Sequence, residues 1–152
     1  MRWYQRILLP TDGSESAMAA VATGLDIAKR LNADVTIISI VDVRALISIY
    51  QGLGVPDQHA YQQDAADAAA EAALRSAREM GVRARAVVRR GDPASDIIEE
   101  SSRHDLIVMA TRGRTGLAHM ILGSVAEKVV RFAACPVMVI RSAGKRELWP
   151  FP

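Results

Sequence analysis

Gly113, Gly116 and Gly123 lie between an apolar run, Asp105 to Ala110, and a helical pattern that begins at Ser124. Strand, glycine-bearing loop and helix in that order suit a bound anion, because the first turn of a helix offers unpaired N–H groups at the positive end of its dipole. Glycine, having no Cβ, lets the chain turn its amides inward as a nest. Arg112 and Arg114 bring positive charge to the same loop. The chemistry indicated is the holding of phosphate groups.

Other residue patterns argue against fast catalysis. No Gly-Lys-Ser/Thr follows the glycines, and no lysine stands between Lys29 and Lys128, which excludes a P-loop. There is no Gly-x-Ser-x-Gly and no cysteine–histidine pair with a recognisable base, and the three histidines are too scattered for a metal set. Without a general base, at most slow hydrolysis or autophosphorylation is open to this chain. His119 reads either as a group near a terminal phosphate or as an exposed loop histidine. Cys135 reads as a small apolar residue entering a strand, and Met109, Met120 and Met138 read as packing.

A phosphate loop needs a scaffold to aim it, and the chain alternates strand and helix throughout. Arg6 to Pro10 is a short apolar run closed by Thr11-Asp12-Gly13-Ser14, a turn and helix-start signal. Ser14 to Leu31 carries apolar residues at helical spacing and ends at Asn32, and Asp34 to Val41 is a strand rich in β-branched residues. Residues 42–57 read as irregular. Asp57 to Met80, alanine-rich with interspersed charge, has the composition of a long surface helix ended by Gly81. Val82 to Val88 is a third strand, and Gly91-Asp92-Pro93 opens a helix to about His104. The strand Asp105 to Ala110, the glycine loop, the helix Ser124 to Ala133 and a last strand Pro136 to Arg141 complete the chain.

This order predicts an α/β fold, a parallel sheet with helices on both faces. In such a sheet a ligand lies past the C-terminal ends of the strands, where the strand order reverses. The first and fourth strands both end in polar, turn-rich loops. As neighbours they would form one crevice, with Asp12 suited to a ribose hydroxyl opposite the glycine loop, and with Ile40 to Asp42 as an apolar wall for a base. Asp12 also reads as a cap on the first helix, with Glu15 completing a capping box, and Ser124 as an N-cap of its own helix.

Composition bounds the rest. The 152 residues, 50% hydrophobic and 24% charged, fit a single globular domain over 1–152. A net charge of +2 gives no reason to expect nucleic acid as a partner. Arg83, Arg85, Arg89 and Arg90 cluster without interleaved aromatics, as in a solvated edge strand. No apolar run is long enough to span a bilayer and no signal peptide is recognisable. With a lone cysteine, these features lead us to expect a cytoplasmic protein without membrane contact. Ser142 to Pro152 reads as a loosely held tail.

Three separated segments then match one family in order. Arg6-Ile-Leu-Leu-Pro-Thr-Asp-Gly-Ser, Gly113 followed after nine residues by Gly123-Ser124, and Cys135-Pro-Val-Met-Val-Ile-Arg resemble the universal stress proteins, from about Tyr4 to Arg141. The resemblance implies a three-layer sandwich with a five-stranded sheet of order 3-2-1-4-5. It also implies a homodimer through the last strand, 136–141, and binding of ATP, with or without Mg2+. The implied site is Pro10, Thr11 and Asp12 at the first loop, Val41 beside adenine, and Met109, Gly113, Gly123, Ser124 and Val125 along ribose and phosphates, with Ala110 and Arg112 adjoining. Ala110 replaces the first glycine of the signature, a tolerable change at a strand end. ATP occupancy setting the order of the glycine loop and of segment 42–57, as a stress-response switch toward an unidentified client protein, is the expectation. A nucleotide-independent dimeric interaction protein, which Ala110 would favour, and a slow ATPase are the alternatives.

Overall fold

A computed structural model describes residues 3–44, 58–111 and 122–141. The expectations for Arg112, Gly113, Arg114, Gly116, His119 and Met120, for most of segment 42–57 and for the tail from Ser142 lie outside the described residues. Within them the order is β1 (Arg6–Pro10), α1 (Glu15–Leu31), β2 (Asp34–Asp42), α2 (Gln58–Met80), β3 (Ala84–Gly91), α3 (Pro93–Ser101), β4 (Leu106–Ala110), α4 (Ser124–Phe132) and β5 (Val137–Ile140). All four strand pairings are parallel, and the sheet order is β3-β2-β1-β4-β5, as expected.

The central strands are apolar without alternation because both of their faces are covered. Ile7 and Leu9 of β1, Val35 and Ile37 of β2 and Val108 of β4 pack with Val21, Leu25 and Ala28 of α1 and with Ala73 and Ala77 of α2. Leu8, Ile38, Ile107 and Met109 point the other way, onto Ile97 of α3 and Ala126 and Val129 of α4. Each fully buried leucine or isoleucine contributes about 1.5–3 kcal/mol, so this two-sided core fixes which face each helix takes. Helix α1 comes close enough to β1 that a Cβ on Gly24 would stand 2.3 Å from Cδ2 of Leu9.

Three elements differ from the sequence expectation. Helix α2 is not only a surface helix: Ala66, Ala69, Ala70, Ala73 and Ala77 are buried, and their small side chains let it lie closely on β2 and β3. Strand β3 starts later and runs on to Gly91, which pairs with Asp42. Val82 instead donates its N–H to the carbonyl of Ala77 and closes α2, with Gly81 at φ +70° supplying the left-handed residue that such an ending uses. Helix α3 ends at Ser101, after which Arg103 and His104 turn more tightly, their N–H groups donating three residues back. Among the described residues no helix is long and apolar enough to cross a membrane.

Candidate functional site

Strands β1 and β4 are neighbours, through Ile7 with Leu106 and Leu8 with Ile107, while β2 and β5 extend the sheet in opposite directions. The order therefore reverses between β1 and β4, the position at which a doubly wound sheet forms a crevice past the C-terminal ends of its strands. Pro10 is the last residue of β1, and Thr11 extends the ladder by donating its N–H to the carbonyl of Ile38 at 2.9 Å. The buried Thr11 hydroxyl then accepts the N–H of Gly13 at 3.1 Å. Gly13 has φ +77°, which glycine adopts without steric cost.

This turn decides what Asp12 does. Its Oδ1 accepts the N–H of Ser14 at 2.9 Å, and Ser14 Oγ accepts the N–H of Ala17 at 3.2 Å. Ser14 is thus the N-cap of α1, and the capping box from Asp12 to Glu15 does not form. Asp12 stays at the lip of the crevice, half-buried.

On the β4 side, Met109 and Ala110 pair with Val139 and Ile140. Ala110 is thus an ordinary extended residue whose methyl is buried, and the replacement of glycine there strains nothing in the backbone. Thr111, also buried, donates its N–H to the carbonyl of Ile140 at 3.1 Å, and its own carbonyl accepts the N–H of Gly123 at 2.6 Å. The chain that leaves β4 is in this way brought back to the same point before α4 begins. Gly123, at φ −71° and ψ 162°, is the N-cap of α4. Ser124 is therefore not the cap but the first residue of the helix, and it is exposed. A glycine has no side chain with which to satisfy the first-turn N–H groups of Ser124, Val125 and Ala126. The Val125 side chain packs into the cluster beneath α3 and α4.

Val41 sits at the same end of the sheet, but its side chain is buried against Ala66 of α2 and Val88 of β3. Even-numbered residues of β2 direct their backbone groups toward β1, since Asp34 donates to Gln5 and Ile38 accepts from Thr11. Ile40, two residues further on, is the one turned toward the crevice side. Pro10, Thr11, Asp12, Met109, Ala110, Gly123, Ser124 and Val125 are thus gathered at the ends of two adjacent strands, with Val41 one strand away.

Sequence reasoning missed an ionic cluster beside them. Asp92, the N-cap of α3, accepts from the Ser95 N–H at 3.1 Å and Ser95 Oγ at 2.6 Å, and Arg44 Nη1 lies 3.3 Å from its Oδ1. These hydrogen bonds, with the positive charges of Arg44 and of Lys128 on α4, hold the Asp92 carboxyl below its usual range. The Gly91-Asp92-Pro93 signal marked the helix start; nothing in spacing tied it to Arg44 or Lys128. Burial pushes the Cys135 thiol up, with Asp105 adding to the effect, in keeping with a packing role.

A doubly wound parallel sheet with a glycine-started helix at its switch point defines the class of domain. Within that class the universal stress protein family profile matches residues 4–141, and the chain belongs to that family. Universal stress protein MJ0531 of Methanocaldococcus jannaschii is 35% identical over 150 residues, which cover 93% of this chain and 85% of that protein. Among solved structures, the hypothetical protein MJ0577 aligns with a TM-score of 0.76 and 25% identity over 92% of this chain and 97% of its own. A universal stress protein in complex with cAMP aligns with a TM-score of 0.65 and 25% identity, over 91% and 97% of the two chains.

Proposed function

We propose that this chain binds an adenine nucleotide, ATP in the first instance, in the crevice past β1 and β4, and that occupancy acts as a switch in a stress response. The observation that carries this reading is the start of α4 at the switch point, where Gly123 supplies no cap of its own and the dipole favours an anion. The complex of a structural neighbour with cAMP supports the choice of adenine nucleotide. In this reading the N–H groups of Ser124 and Val125, with Arg112 and Gly113 from the loop, take the phosphates. Asp12 takes the ribose, with Met109 and Ala110 at the end of β4 beside ribose and phosphates, and the end of β2, through Ile40 and the backbone of Val41, flanks the base.

The described residues include no cluster of three or more acidic, histidine or cysteine groups able to hold a metal. Any Mg2+ would therefore arrive with the phosphates rather than in a protein cage. Turnover is expected to be slow or absent, and the place of action is the cytoplasm. The protein acts as a homodimer: β5 is an edge strand, and Met138, Val130 and Phe132 near it are 41%, 47% and 61% exposed, apolar area that a second copy would cover. The client is a protein that recognises one occupancy state.

Freshly purified protein, denatured and analysed by mass, is expected to release ATP or ADP, and nucleotide-free protein to bind ATP in calorimetric titration. An empty protein that also shows no heat at millimolar ATP would overturn the reading in favour of the nucleotide-independent interaction protein. A monomer in light scattering at micromolar concentration would remove the dimer alone.

A further inference from the structure

The edge of the sheet formed by β3 has chemistry that the nucleotide reading does not use. Among the described residues strand β3 pairs with β2 alone. Val35 donates its N–H to the carbonyl of Arg83 at 2.9 Å, so the odd-numbered residues of β3 direct their backbone groups inward to β2. Alternation then turns the N–H and C=O groups of Ala84, Ala86, Val88 and Arg90 outward. A row of such groups is what a strand-adding partner pairs with.

The side chains beside this edge are held in place by a buried carboxylate. Glu100 of α3 is 2% exposed. Arg89 Nη2 lies 2.5 Å and Arg103 Nη1 3.2 Å from its Oε2, and Arg85 Nη2 lies 4.0 Å from its Oε1. Three positive charges thus surround one negative charge. Asp96 also faces Arg89, which leaves the surplus at Arg85 and Arg103, whose side chains are 65% and 66% exposed. A guanidinium carries five donors in a rigid fork, and these two present most of theirs to solvent. No acidic residue occurs between 81 and 91, so a second copy of the same edge would be repelled.

We propose that the free edge of β3 docks an extended acidic segment of another protein, which adds as a strand outside β3 and sets alternate carboxylates on Arg85 and Arg103. The partner's backbone pairs with the outward groups of Ala84, Ala86 and Val88. Its charge is selected by the surplus that Glu100 organises. This surface lies at the β3 side of the sheet, apart from β5 and from the crevice, and does not depend on nucleotide.

The test uses a labelled peptide of alternating glutamate and valine, with anisotropy read against the full chain. Saturable binding that weakens with salt is expected. A peptide of equal charge with proline in place of valine, lacking those N–H groups, is expected to bind at least about tenfold more weakly. Arg85→Glu with Arg103→Glu should weaken the glutamate–valine peptide by about tenfold or more through like-charge repulsion. Ala86→Pro, which removes one outward N–H, should also weaken it, with folding of each variant checked by circular dichroism. Arg89 is left in place because its loss would strand the Glu100 charge. Equal binding of the proline peptide, unchanged binding in the arginine variant, or no binding of the glutamate–valine peptide would each overturn the proposal.

Discussion

Helices α3 and α4 lie side by side on one face of the sheet and begin at the same end of it, yet their first turns are finished differently. The N-terminus of α3 is closed by Asp92, whose carboxylate takes both the N–H and the hydroxyl of Ser95. That of α4 begins at Gly123, which has no side chain of its own to close it. Helix α1, on the opposite face, is closed by Ser14. The dipoles are alike, so the difference rests on one side chain. A helix that carries its own cap is already satisfied, whereas one that starts at glycine has no cap side chain to take its first-turn donors, and in the proposed reading an external anion takes them.

The sharpest way to break this contrast is to give α4 a cap of the kind α3 has. Gly123→Asp sets a carboxylate where a phosphate would sit, and the observed φ of −71° and ψ of 162° accept any L-residue. ATP affinity is expected to fall by about 100-fold or more, roughly 2.7 kcal/mol. The melting temperature should not fall, because aspartate is at least as good an N-cap as glycine. Calorimetry and a thermal melt read the two effects separately. Unchanged affinity in a folded variant would mean that the anion site is not at α4.

The converse change sharpens the contrast. Asp92→Ala removes the α3 cap and the partner of Arg44, and a loss of about 1–2 kcal/mol in urea unfolding is expected. ATP affinity should stay within about twofold. Ser14→Ala on α1 should cost less, about 0.5–1 kcal/mol, since a single hydrogen bond of 3.2 Å is lost. A drop in ATP affinity with Asp92→Ala as large as with Gly123→Asp would erase the distinction between the two helices.

How far sequence alone reached follows from what each feature depends on. The run Arg6 to Pro10 and the run Leu106 to Ala110 were legible as buried strands because their apolar continuity is local. The order 3-2-1-4-5 came from the family resemblance, since periodicity carries no information on which strands are neighbours. At the site, Gly123 and the start of α4 were legible. From spacing Asp12 reads either as the cap of α1 or as a ligand group, and Gly13 at φ +77° shifts the cap to Ser14 through geometry that spacing does not reveal. The side-chain direction of Val41 depends on α2, which lies far along the chain. The Asp92 cluster joins α3, α4 and the residues after β2, and the Glu100 cluster joins α3, the turn after it and β3; no local pattern announces such meetings.

The smallest effect is in pH, and it separates two carboxylates within α3 itself. Asp92 is held below its usual range, first by the Ser95 hydroxyl and then by the Ser95 N–H. A depressed folded value means stability that is complete above the unfolded value of about 4 and is lost as pH falls through the folded one. Asp96 is the reverse: burial pushes it up, Glu99 and Asp92 add to this, and Arg89 opposes it. Its Oδ2 is buried and has no hydrogen-bond partner among the described residues. Its ionisation therefore costs stability above its folded value, and that cost is relieved as pH falls toward about 4. Asp96→Asn should raise the urea midpoint at neutral pH, with the difference closing on acidification. Asp92→Asn, which keeps a good cap, should change little at neutral pH and make the acid limb shallower. Both effects are smaller than loss of a cap, because the two groups are partly exposed and solvent screens them. A difference for Asp96→Asn that is constant from pH 4 to 7 would trace its cost to packing against Gly91 rather than to charge. Helix α4, without a carboxylate cap, should take no part in either limb until Gly123→Asp supplies one.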